Sequence, residues 1–173
     1  MNFKTSNLQP KTYNKIKMNI NEILELTDEI EIIEAVGANI YKKKEQSDDF
    51  TLLNDYERTF VYIDVFEAAM NEGGFNNFFS TEAGNFALEI KNAYKAINAP
   101  KTALLIEKAL GLFPNNDFKD ILDERNKQLA KMDEMVFSGW EDLDELFFTN
   151  ESEEDVVTLI VDYIKANESQ FGR

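Results

Sequence analysis

Histidine and cysteine are both absent from this 173-residue sequence. Without histidine, the commonest general base, the Ser-His-Asp and Cys-His systems and most zinc and haem sites are excluded. Without cysteine there is no disulfide framework and no thiolate zinc site. That fits a reducing compartment, and a cytoplasmic location is expected. Only 7 glycines and 3 prolines punctuate the chain, which favours long regular elements. Positive charge is scarce: 18 Lys and Arg stand against 33 Asp and Glu, a formal net charge of -15. Such a surface repels nucleic acid and anionic membranes and attracts basic surfaces. Nor does any run approach the roughly 18 apolar residues of a membrane span. Residues 1–17 hold no apolar stretch suited to a signal peptide, so none is expected.

What the chain does have is core material, 43% hydrophobic residues with 14 Phe. The length suits one domain. Residues 1–20 carry Lys4, Lys11, Lys15 and Lys17 and no acid. They read as a basic arm or short helix that opposite charge would draw onto an acidic helical domain over 21–173. Ile23, Leu26, Ile30, Ile33, Val36 and Ile40 make one helical stripe, followed by Lys42, Lys43 and Lys44 where cations suit a helix C-terminus. Leu53, Tyr56, Phe60, Ile63, Phe66 and Met70 make a second, which Gly73 and Gly74 stop. Phe75, Phe78 and Phe79 then suggest a helical turn plugging the core. Further helices are expected over Gly84–Ile97, Pro100–Phe113, Phe118–Met132, Trp140–Phe148 and Asp155–Asn167. The last contains Val156, Val157, Ile160, Val161 and Ile164, but has no partner strand and reads as helix. The expected fold is all-α, with about seven helices.

No chemistry-bearing pattern emerges. Ser138 lacks the glycine setting of a nucleophile elbow, and Gly73-Gly74 lacks the Lys-Ser/Thr of a phosphate loop. Carboxylate pairs such as Asp142 with Asp144, or Asp123 with Glu124, arise by chance among 33 acids, and no twelve-residue calcium loop is present. The expectation is a protein with no catalytic residue, cofactor or metal. The strongest signal is an acidic run without Lys or Arg: Asp133, Glu134, Glu141, Asp142, Asp144, Glu145, Glu151, Glu153, Glu154 and Asp155. Interleaved with Trp140, Leu143, Leu146, Phe147 and Phe148, these acids should line the outer face of a packed element. Carboxylates at helical spacing stand about 5–6 Å apart, comparable to phosphates along a strand.

The block Asn71-Glu72-Gly73-Gly74-Phe75-Asn76-Asn77-Phe78-Phe79, Gly84-Asn85-Phe86, Ala96-Ile97-Asn98-Ala99 and the stretch from Lys101 to Pro114 resembles the bacterial DNA-mimic protein family. That family was long catalogued as a domain of unknown function. Its mark is Asn-Gly-Gly-Phe-x-x-Phe-Phe, a later Gly and a helical pair ending in Phe-Pro. Here Glu72 replaces the usual Asn and Asn77 the usual Gln. The match is close over about residues 50–114 and loose at Leu143-Asp144-Glu145-Leu146 and the closing helix. The resemblance implies an acidic helical protein, in a studied member a homodimer, that imitates duplex DNA and occupies the DNA site of a transcription regulator. The motif itself, Asn71, Gly73, Gly74, Phe75, Phe78 and Phe79, reads as core and turn, so mimicry would reside in the carboxylates. The leading expectation is therefore an interaction protein on the basic face of a DNA-binding regulator. Two alternatives are an immunity protein that inhibits a basic toxin enzyme, and a small-ligand binder at the Gly-Gly-Phe cleft.

Overall fold

The structure, a computed structural model, describes residues 18–45, 50–150 and 154–172. Most of the expected basic arm, residues 1–17, lies outside them. The elements are α1 (Ile20–Leu24), α2 (Glu29–Lys44), α3 (Asp55–Ser80), α4 (Ala87–Ala96), α5 (Pro100–Gly111), α6 (Leu122–Leu129), α7 (Glu134–Asn150), α8 (Val156–Ala166) and α9 (Glu168–Phe171). Short 3-10 turns occupy Glu82–Phe86 and Pro114–Asn116. Among the described residues there is no strand, and the all-α expectation holds. The described residues divide into two compact units, those within 18–61 together with 155–172, and those within 62–154.

In the first unit, side-chain caps decide where the helices begin. Asn19 and Glu22 form a capping box at α1, each accepting the other's backbone N–H, at 3.1 and 2.8 Å. The single helix expected through Ile23 and Ile40 is broken. Asp28 accepts the N–H groups of Ile30 (2.8 Å) and Glu31 (3.3 Å) and starts α2 afresh. Ile30 accordingly leaves the apolar stripe and is exposed, while Ile32, Val36 and Ile40 are buried. Lys42, Lys43 and Lys44 fill the last turn of α2, as read from the sequence. A second capping box joins Asn54 and Glu57 at the start of α3, and Lys43 Nζ lies 2.7 and 2.9 Å from the two oxygens of the buried Glu57. α8 packs on α2 through a helix whose Ile160, Val161 and Ile164 are buried.

The second unit is built around aromatic rings. α3 is interrupted at Gly73 and Gly74, where Gly74 takes φ 65. The helix resumes at once instead of ending, and this turn drives Phe75, Phe78 and Phe79 into the interior, all three fully buried. Asn77 donates its side-chain amide back across the break to the Ala69 carbonyl at 3.0 Å. Phe78 meets Phe66 edge-on at 5.0 Å, and Phe79 lies 5.0 Å from Phe113 and 4.9 Å from Trp140. Such rings gain from both area and edge-to-face geometry. Tyr94, buried, donates a short hydrogen bond to Glu67. Burial, then the Glu67 charge, pushes its hydroxyl pKa well above the ordinary value, so it remains a donor. α4 and α5 pack together across a tight turn in which Asn98 adopts φ 64 and Pro100 opens α5.

Two further helices, α6 and α7, differ from expectation in length. The helix expected over Phe118–Met132 is confined to Leu122–Leu129, leaving Ile121 outside and exposed. Asn115 and Asn116 take left-handed φ, and residues 117–121 form a loop whose carbonyls have another task, described below. The helix expected over Trp140–Phe148 extends to Glu134–Asn150. Asp133 accepts the Met135 N–H at 3.0 Å and so the helix begins at Glu134, ahead of Trp140.

Candidate protein-binding face on helix α7

Helix α7 has one buried and one exposed side. Trp140, Leu143 and Phe147 form the buried side. Trp140 Nε1 donates to the Ala109 carbonyl of α5 at 3.0 Å, fixing the rotation of α7. Phe147 meets Phe66 edge-on at 5.7 Å. With that rotation set, Glu134, Ser138, Glu141 and Glu145 follow at helical steps on the opposite side, with Asp142 beside them, and all are exposed. Among the described residues, Glu134, Glu141, Asp142 and Glu145 form no ion pair.

The ten acids of the run do not form one surface. Asp133 is exposed but engaged as the cap of α7. Asp144 is half-buried and turned to the Gly-Gly-Phe turn, where its Oδ1 accepts the Phe75 N–H at 2.8 Å. A Cβ on Gly74 would collide with the Asp144 carboxylate, so glycine is required there for space as well as for its positive φ. Burial raises the Asp144 pKa, Glu141 adds to this, and the Phe75 hydrogen bond opposes both.

Glu154 is buried and accepts from Lys101 N (2.6 Å), Thr102 N (2.9 Å) and Thr102 Oγ1 (2.8 Å). It caps α5, whose own N-cap, Ala99, has no polar side chain to offer. Asp144 and Glu154 were both expected on the outer face. Both are corrected to internal roles, because each meets backbone N–H groups that nothing else satisfies. Asp155 caps α8 through Thr158 N at 3.3 Å and belongs to the first unit. Glu151 and Glu153 lie outside the described residues.

The motif residues lie at the break in α3 and, for Phe75, Phe78 and Phe79, in the core. Asn71 is exposed and donates to the Glu67 carbonyl at 2.8 Å. Gly73 supplies the break together with Gly74. Sequence reading missed the group that holds the far side of this block, Arg125. It is 0% exposed and reaches five acceptors. Nε donates to Phe79 O (2.6 Å), Nη1 to Lys119 O (2.9 Å) and Asp120 O (3.1 Å), and Nη2 to Thr81 O (2.7 Å) and Asn85 Oδ1 (3.0 Å). Gly84 is bare because a Cβ would lie 2.9 Å from the Phe78 carbonyl oxygen and 3.0 Å from the guanidinium carbon. Burial lowers the Arg125 pKa and the Asp120 charge partly offsets this, yet a guanidinium stays charged. Its fork explains why residues 117–121 remain a loop. The only signal in the sequence was a base amid acids with no helical partner pattern, which is too common to decide anything.

No helix among the described residues is long and apolar enough to cross a membrane. Neither curated proteins nor solved structures gave a match. The family described as DMP19-like protein matches residues 51–167, which take in the Gly-Gly-Phe turn, the aromatic core and all of α7. With more than half of its length matched, the chain belongs to the DMP19-like protein family.

Proposed function

We propose that this chain is a non-enzymatic, acidic interaction protein that occupies the basic surface of a DNA-binding protein in place of DNA. The observation that carries the reading is α7. Glu134, Glu141, Asp142 and Glu145 stand exposed and without ion pairs among the described residues, on a helix fixed by Trp140. A rigid row of negative charge steers and holds a cationic groove as a phosphate row does. Membership of a family identified with DNA mimicry supports the same reading.

The test begins with affinity capture from native lysate and then asks how the captured protein is released. Duplex DNA should displace it competitively, and raising salt should weaken it steeply, because exposed charges are screened over about 8 Å at physiological ionic strength. The quadruple change E134Q/E141Q/D142N/E145Q should abolish capture, mainly through the association rate, while leaving the helical spectrum intact. A captured protein indifferent to DNA competition, or undiminished capture by the quadruple variant, would refute the proposal.

A further inference from the structure

Two large apolar side chains flank the charged side of α7, one on each edge. Leu146 is 44% exposed and Phe148 42%. Phe148 follows Glu145 by three residues and Asp144 by four, and Leu146 follows Asp142 by four, so each stands beside a carboxylate on the helix surface. Phe147 covers part of the Phe148 ring, edge-on at 5.2 Å. The last turn of α7 holds no basic residue, so the negative end of its dipole adds to the carboxylates there. Phosphates present charge alone. The Phe148 edge of α7 presents charge next to an aromatic ring.

That combination fits arginine better than lysine. A planar guanidinium can lie over a ring and still direct its N–H edge at a carboxylate, whereas an ammonium is compact and strongly hydrated. Resting on the proposed function, we propose that α7 holds its basic partner through an arginine that stacks on Phe148 and pairs with Glu145. The charged row then governs encounter, and Phe148 governs which cation is retained.

The experiment uses the full chain with nona-arginine and nona-lysine peptides, by calorimetric titration at fixed ionic strength. Wild type should bind the arginine peptide more tightly. F148L, which keeps apolar bulk and removes the ring, should weaken it about threefold and leave the lysine peptide unchanged. E145Q should weaken the arginine peptide more than the lysine peptide. E134Q/E141Q/D142N/E145Q should weaken both. An arginine-to-lysine affinity ratio that is near one in wild type, or unaltered by F148L, overturns the arginine site while the charge-based function survives. Unchanged binding of both peptides by the quadruple variant overturns the function as well. Leu146 and Phe148 are surface residues, so these variants should retain the wild-type helical spectrum.

Discussion

The Asp144 carboxylate offers a clean separation of hydrogen bonding from charge. Asp144→Ala removes the acceptor of the Phe75 N–H, whose residue is fully buried. A buried donor left unsatisfied costs about 1–3 kcal/mol. Asp144→Asn keeps a carbonyl oxygen at the same place and removes a charge that burial and Glu141 both disfavour. At neutral pH the Asn variant should therefore match or exceed wild type, and the Ala variant should fall about 1–3 kcal/mol below the Asn variant.

The pH dependence follows from the direction of the shift. A carboxyl whose folded pKa is raised binds its proton more tightly in the folded state. Its favourable contribution is full below the ordinary Asp value and is lost as pH rises through the folded value. Any advantage of Asn over wild type should thus be greatest near neutrality and shrink as pH falls toward the ordinary carboxylate range. Trp140, the single tryptophan, is buried in the same unit, so its fluorescence in urea reports this unit directly. Ala and Asn variants of equal stability, or an Asn advantage that grows on acidification, would refute the reasoning.

Three further outcomes are expected. Arg125→Lys keeps a positive charge but offers three donors where five acceptors are served. It should destabilise by roughly 3–5 kcal/mol, the range for disrupting a buried charged network, and urea midpoints near wild type would contradict the role given to the fork. Glu154→Ala strips the cap of α5 and should lose about 2–4 kcal/mol, with amide exchange at Lys101 and Thr102 accelerating first. Phe78→Ala should lose roughly 3–5 kcal/mol by calorimetry, since its ring is enclosed by Phe66, Phe75 and Phe79.

Helix content, the apolar stripes of Phe60 to Met70 and Ala103 to Phe113, and the burial of Phe75, Phe78 and Phe79 were legible because periodicity is local. A side chain three or four residues along a helix necessarily shares its face. The acidity of α7 was legible for the same reason, as was the break at Gly73 and Gly74. Caps were only partly legible: Asp28 ends one helix pattern and begins another within a stripe that continues in register, and apolar spacing alone does not reveal that.

The charged groups with long-range structural partners were not legible. Glu154 meets Lys101 and Thr102 across more than fifty residues, Asp144 meets Phe75 across 69, and Arg125 reaches back 46 to Phe79. In sequence these side chains are indistinguishable from the solvated charges beside them. Periodicity determined that this protein is helical, and composition that it is acidic and without histidine or cysteine chemistry. Only the tertiary structure decided which carboxylates face outward. An ion's role depends on whether a distant backbone N–H arrives to meet it, and that follows from chain topology, which local spacing does not encode.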